Sequence, residues 1–245
     1  MKEKLYTIPV NDAFGGICEC PICLMKKTLE SNAIDFTMGP SYMEEDVRFE
    51  TDKVGFCNHH IHMLYENQNR LGLALMLKTH MDRTIKDIEK ISSNAGKLSS
   101  PSIFKKKIKS SKKKIESSSV KSYINELDSS CYICKTMNTT FERYTVTIFS
   151  LFLNDSEFRT KFTNSKGFCT THYGLLYEEA PKYLNGDKLE DFIRTLNIIY
   201  LDNIKRVRDD LDWFIDKFDY RFVNEPWKNS KDAVIRSIVK TNSIL

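Results

Sequence analysis

Two stretches of the chain set thiols at a spacing that suits a metal ion. "GICECPICLMKK" at 16–27 carries Cys18, Cys20 and Cys23, and "SSCYICKTMN" at 129–138 repeats the Cys-x-x-Cys step with Cys131 and Cys134. Downstream of each lies a second shared motif, "GFCNHHIHMLYE" from Gly55 and "GFCTTHYGLLYE" from Gly167. The pattern common to both is Gly-Phe-Cys-x-x-His-x-x-x-Leu-Tyr-Glu, seven identical positions over twelve residues, and Cys23 to Cys57 spans 34 positions against 35 from Cys134 to Cys169. Buried structural cysteines have no reason to recur at ligand spacing, so the chain reads as internally duplicated, each copy carrying a metal-binding set.

A Cys-x-x-Cys turn brings two thiolates onto one ion, and Cys-x-x-His at a helix start places its side chains one turn apart on one face. Taken in sequence order, Cys20, Cys23, Cys57 and His60 form one Cys3His site, and Cys131, Cys134, Cys169 and His172 form the other. Three soft thiolates with one imidazole favour zinc, two ions per chain, over magnesium or calcium, although the same donors also take iron. With all four positions filled by protein, no coordination position is open for water, and the metal's role is structural. Comparing the copies sorts the remaining candidates. Cys18 aligns with Ser129, His59 with Thr171 and His62 with Gly174, so none of the three is expected to be a ligand, and Cys18 reads as a spare buried thiol. Gly55 and Gly167 are expected to turn the chain into the ligand helices through a positive φ or a close approach.

The elements that must hold these residues read as helical. Leu64, Leu71, Leu75, Ile85, Ile88 and Ile91 recur at helical spacing after the first Gly-Phe-Cys, and a clearer apolar stripe runs from Leu189 to Phe218. "YTVTIFSLFL" at 144–153 is β-branched but is assigned to a helix, and a last short helix starts near Ser230 with Ala233, Val234, Ile238 and Val239 inward. The expected fold class is mainly α, an internally duplicated helical protein with two Cys3His zinc knots. Its expected divisions are a first half at 1–92, a Ser/Lys-rich linker or solvated helix at 93–129, and a second half at 130–245.

At 245 residues each half can bury a core without disulfide staples. The opening "MKEKLYTIPVNDAFGG" is charged and interrupted by Pro9 and Gly15, unlike an export signal, and "LGLALML" at 71–77 is far short of the roughly 18 to 20 apolar residues that cross a bilayer. An odd count of seven cysteines argues against a disulfide framework, and a cytoplasmic location is expected. The net charge of +4 is local: "KKKIKSSKKK" at 105–114 holds seven lysines and no acid, and the rest of the chain sums to −3.

The paired "CPIC", "GFCNHH", "CYIC" and "GFCTTH" motifs, in order through both halves, resemble an uncharacterised bacterial family, a domain of unknown function with predicted metal sites. The resemblance implies structural metal binding at those residues. The lysine-rich insert and "APKYLNGDK" at 180–188 depart from a simple duplication, the latter interrupting the second helix where the first half runs on.

The leading functional reading is a non-enzymatic zinc-binding scaffold for an unidentified protein partner, with a homodimer seam along the long 188–219 helix as a subordinate alternative. Nucleic-acid binding through Lys105 to Lys114 is the second reading, weakened by the lack of arginine and glycine in the run. A thiol or metal redox sensor is the third. No phosphate-cradling Gly-rich loop, nucleophile elbow or His-Glu-x-x-His is present, so no enzymatic activity is expected.

Overall fold

The computed structural model describes residues 3–95 and 119–243; the lysine run at 105–114 lies outside them. All regular structure among the described residues is helical, in the order α1 (Glu3–Gly15), α2 (Pro21–Met38), a 3-10 turn (Pro40–Met43), α3 (Glu45–Val54), α4 (Asn58–Glu66), α5 (Arg70–Ala95) and α6 (Ser119–Asp128). There follow α7 (Tyr132–Asn154), α8 (Ser156–Asn164), α9 (Thr170–Tyr183), α10 (Gly186–Asp216), a 3-10 turn (Tyr220–Phe222) and α11 (Ala233–Asn242). The mainly α expectation holds, and "YTVTIFSLFL" lies within α7.

The chain divides into two compact units, one of Met1–Leu29 with Asn138–Leu245, the other of Glu30–Met137. This differs from the expected sequential halves at 1–92 and 130–245. The physical reason is that α2 and α7 are unbroken helices of 18 and 23 residues, and each carries the chain out of one unit and into the other. The expected linker at 93–129 is helical in its last part: α6 packs on α5 through half-buried Val120, Tyr123 and Leu127, spaced for one helical face.

The first unit is built on phenylalanine. Phe149, Phe152, Phe158, Phe162, Phe168 and Phe192 are all but fully buried, and Phe14 from α1 joins them. Phe162 is the hub, its ring 5.1 to 6.4 Å from those of Phe14, Phe152, Phe158, Phe168 and Phe192. Such ring pairs add specific edge and offset contacts to the area they bury. Asp155 caps α8 by accepting from the Phe158 amide at 3.0 Å, which sets the helix that delivers Phe158 and Phe162. On α10 the expected stripe is buried at Phe192, Leu196, Ile199 and Val207, whereas Ile215 and Phe218 near its end stand exposed.

The second unit has a leaner core of aliphatic and methionine side chains, among them Ile34, Met38, Val47, Leu64, Leu73 and Met76. The run of periodic residues after Cys57 is not one helix. Gln68 takes a left-handed φ of 44°, and Asn69 then caps α5 by accepting from the Gly72 amide at 3.0 Å. The break resets the helical phase, so Leu73 and Met76 are buried while Leu71 and Ile85, expected inside, are exposed. The chain breaks again after the second Gly-Phe-Cys motif, between α9 and α10, where Gly186 has φ 50°, but later in register, since α4 spans 9 residues and α9 spans 14. A break therefore follows both ligand helices, and "APKYLNGDK" is where the second falls, in contrast to the uninterrupted first half expected from the sequence.

In α11, Ala233 and Val239 face inward as expected, but Val234 and Ile238 are about two-fifths exposed, at 41% and 42%. Arg236 and Lys240 take the inward face in their place. Arg236 pairs with Asp210 at 2.8 Å and Asp232 at 2.9 Å, and Lys240 Nζ donates to the Glu19 carbonyl at 2.6 Å. Buried cations of this kind persist because partners on other elements satisfy them.

Replacing the hub, Phe162→Ala, should cost about 3–5 kcal/mol of stability, the range for emptying an aromatic site in a packed core. Denaturant unfolding followed by circular dichroism measures it; a cost below about 1 kcal/mol, typical of surface changes, contradicts this packing.

Candidate metal centres

Each of the four ligand pairs opens a helix. Cys20 directly precedes α2, with Pro21 as its first residue and Cys23 in its first turn, and Cys131 and Cys134 stand likewise at the start of α7. Cys57 precedes α4 and Cys169 precedes α9, with near-identical backbones of φ −74°, ψ 165° and φ −74°, ψ 162°, and His60 and His172 lie three residues on. The carbonyl of each leading cysteine accepts the amide four residues later, at 2.9 to 3.2 Å, so both members of a pair are fixed at the amino end of a helix. Partial positive charge at that end favours the thiolates that metal binding requires.

Gly55 and Gly167 have φ of 60° and 76°, as expected for the turn into α4 and α9. A β-carbon on Gly55 would come 2.7 Å from the ring of His80, and one on Gly167 would come 3.0 Å from the Ile199 carbonyl. His80 is thus a packing residue, half-buried, with Nδ1 2.7 Å from the Asp52 carbonyl. At the start of α7, the Tyr132 amide donates to the Gly55 carbonyl at 3.0 Å and Ser130 Oγ donates to the Val54 carbonyl at 2.6 Å. These bonds bring the two glycine-turn and Cys-x-x-Cys segments of the second unit together.

The structure gathers all eight expected ligands into two clusters, but the pairing is crossed. Cys20 and Cys23 meet Cys169 and His172 in the first unit, and Cys57 and His60 meet Cys131 and Cys134 in the second. The sequence-order sets, Cys20, Cys23, Cys57 and His60 with Cys131, Cys134, Cys169 and His172, are therefore corrected. The reason is helix length: at 1.5 Å per residue α2 carries the chain about 27 Å from Cys20, and α7 carries it about 35 Å from Cys131, before the next motif begins. The intervening α3 and α8, of 10 and 9 residues, are too short to bring it back.

In the first centre His172 Nδ1 lies 3.5, 3.2 and 3.1 Å from the sulfurs of Cys20, Cys23 and Cys169, and Cys23 Sγ lies 3.6 Å from Cys169 Sγ. In the second, His60 Nδ1 lies 3.2, 3.4 and 3.4 Å from Cys57, Cys131 and Cys134, with Cys57 Sγ 4.0 Å from Cys134 Sγ. A tetrahedral zinc ion with ordinary bond lengths spaces sulfur from sulfur by about 3.8 Å and sulfur from nitrogen by about 3.5 Å. The thiols are free, and a disulfide would bring sulfurs to about 2 Å. The donor set and its edges fit one tetrahedral ion in each cluster, so the protein carries two clusters that can each hold a metal.

The electrostatics agree. Hydrogen bonds from Cys20 and then Cys23 hold the Cys169 thiol far below its usual range. Those same bonds, with Cys169 first and then Cys20, push Cys23 up, and burial followed by the Cys169 bond raises Cys20 to about 11. In the second centre burial works upward on Cys57 but is outweighed by the His60 amide and the Cys131 and Cys134 thiols, so its value falls; burial and then the Cys131 charge lift Cys134 to about 12. Each cluster thus ionises one thiol readily, while Cys20 and Cys23 in the first and Cys134 in the second hold their protons until a cation takes their place. Burial also lowers His60, against the pull of Glu30, and keeps the imidazole in the neutral form that ligates.

Residues outside the motifs complete the surroundings. His60 Nε2 lies 3.1 Å from Glu30 Oε1; with Nδ1 turned to the thiols, Nε2 carries the proton and donates. His59, not itself among the four, reaches the same carboxylate oxygen at 2.8 Å. At the first centre Ser243 Oγ donates to Cys169 Sγ at 3.0 Å, and buried Glu19 binds Arg206 at 2.6 Å and Lys240 at 3.3 Å, tying α10 and α11 to the loop before Cys20. Sequence spacing held no signal for Glu30, Ser243 or this ion network. Cys18 is only half-buried and lies outside both clusters, as do His62 and the exposed Tyr65, Glu66, Tyr177 and Glu178.

The crossing makes a direct prediction for the cadmium-substituted protein. Cys20→Ser and Cys169→Ser should each disturb the same one of two cadmium-113 resonances, and Cys57→Ser and Cys131→Ser the other. If Cys20→Ser and Cys57→Ser act on one resonance, sequence-order pairing is correct.

No curated protein and no solved structure matches the chain. The model of DUF6062, described as a family of unknown function, matches residues 1–245. With that match spanning its whole length, the chain belongs to the DUF6062 family.

Proposed function

We propose that the protein is a non-enzymatic zinc-binding scaffold whose two Cys3His centres are structural, and that its helical surfaces serve a protein partner. The observation that carries this reading is that each compact unit contains one complete four-ligand set, drawn from segments far apart in the chain. An ion at the first centre cross-links residues 20–23 to 169–172; one at the second cross-links 57–60 to 131–134. Closing such long loops makes binding free energy into folding free energy, on the order of 10 kcal/mol per site at neutral pH. Four protein ligands leave no position for water or substrate, which supports a structural rather than hydrolytic role. Zinc is favoured over other divalent ions by three thiolates with one imidazole in tetrahedral spacing. The internal duplication is part of the same proposal, supported by the shared motif and by the matching order of a long helix, a short helix, the ligand helix and a second long helix in each copy.

The other readings have less behind them. The Lys105 to Lys114 run that motivates nucleic-acid binding falls outside the described residues. Among the described residues no helix is long and apolar enough to cross a membrane.

Metal removal tests the reading. Protein purified without chelator should contain two zinc ions per chain, and stripping them should lower the melting temperature by more than 10 °C and reduce helical circular dichroism, with recovery on adding zinc back. Because protons compete for the thiolates, acidification should release the metal, and stability should fall with it as pH drops. Unchanged melting of the metal-free chain would refute a structural role.

A further inference from the structure

The two centres share ligands and spacing but not surroundings. In the first, all four ligands are buried: Cys20 and Cys169 at 0% exposure, Cys23 and His172 at 4%. Phe168, next to Cys169, is fully buried in the phenylalanine core, and Ser243 after α11 closes over the site, its Oγ on Cys169 Sγ and its carbonyl 3.9 Å from Cys23 Sγ. In the second, His60 and Cys131 are buried while Cys57 and Cys134 are only half-buried, and Phe56, the counterpart of Phe168, is half-buried too. Among the described residues no hydroxyl from a later helix covers its thiols.

The surroundings of the two histidines differ in the same sense. Ten residues after Cys20 stands Glu30, and ten after Cys131 stands Phe141. Glu30 accepts from His60 Nε2, whereas Phe141 sets its ring 6.1 Å from that of His172. The second centre therefore has two ligands fixed in place, His60 by its carboxylate and Cys131 by burial, and two that are only partly covered.

We propose that the second centre is a metal-exchange site and the first a permanent one. This rests on the metal-binding reading above. The occupant exchanged is a thiophilic divalent ion, and the partner is a ligand donor of the thiol class that approaches from solvent. In the exchange an incoming thiol forms a metal–sulfur bond as the bond to Cys134 or Cys57 breaks, and the proton the incoming thiol loses passes to the cysteine released. No oxidation is involved. His60 and Cys131 keep the ion in place until the second movable bond breaks. At the first centre the same attack has no approach, because no ligand sulfur is open to solvent.

The test uses the full chain carrying two natural-abundance zinc ions, challenged with excess zinc-67 and glutathione. Native mass spectrometry follows isotope exchange, and pulses of N-ethylmaleimide with peptide mapping report which thiols open. One ion should exchange at least about tenfold faster than the other, the lower end of what the groups around a metal's ligands change. In the same interval Cys57 and Cys134 should be labelled ahead of Cys131, with Cys20, Cys23 and Cys169 protected. Exchange of both ions in a single phase, or earlier labelling of Cys20, Cys23 or Cys169, overturns the proposal while leaving the metal-binding reading intact. A chain that takes up no zinc overturns both, and the metal count before the challenge tells the two failures apart.

Discussion

Three thiols within hydrogen-bonding reach of one another cannot all lose their protons unless a cation enters among them. In each cluster one cysteine, Cys169 or Cys57, gathers the hydrogen bonds of its neighbours and ionises readily, while Cys20 and Cys134 are pushed up to about 11 and 12. Burial first, and then hydrogen bonding and like charge among thiols 3.6 to 4.0 Å apart, explain the resistance. The convergence of two helix starts on each cluster offsets part of that cost through the partial positive charge of their unpaired amides. A divalent ion removes the rest, and the remainder of the architecture can be understood as the means of bringing two helix starts to one point twice.

That requirement explains the crossed pairing. A Cys-x-x-Cys at the start of a long helix cannot be closed by a motif that follows the helix's far end unless the chain doubles back over a comparable distance. The short helices α3 and α8 do not provide it. The partner for Cys20 and Cys23 therefore comes from the second Gly-Phe-Cys motif, and the partner for Cys131 and Cys134 from the first. One consequence is that neither sequential half contains a complete site. A fragment ending in the lysine-rich region would hold Cys20, Cys23, Cys57 and His60 but neither four-residue set, so each cluster is complete only with residues from both sides of that region.

This also defines what the sequence could reveal. The ligand residues were legible because metal chemistry dictates residue type and local spacing, and Cys-x-x-Cys and Cys-x-x-His are both one-turn steps. The helical class was legible because apolar periodicity survives β-branched interruptions such as that in α7. The pairing was not, since repeat spacing of 34 and 35 residues is equally compatible with closure within a copy or across copies. Only the rise of α2 and α7 distinguishes them. The inward face of α11 was hidden for a different reason: Arg236 and Lys240 read as solvent-facing until their partners Asp210, Asp232 and Glu19 are brought from distant segments. Isolated charge argues for exposure, and paired charge does not.

Shared ligands then meet unequal support. The first centre lies against a phenylalanine core, with Phe168 joining the ligand turn to that core. The second unit has fewer large side chains around Leu64, Leu73 and Met76, and its ligand turn is held chiefly by hydrogen bonds from Ser130 and Tyr132 and by the His80 ring against Gly55. A lean core leaves proportionately more of the stability to the metal, since burial of apolar area scales with the side chains available. The unit with the leaner core is also the one whose cluster is less completely buried. Occupancy of the Cys57, His60, Cys131 and Cys134 centre is thus the variable to which the order of residues 30–95 and 119–137 should respond most steeply.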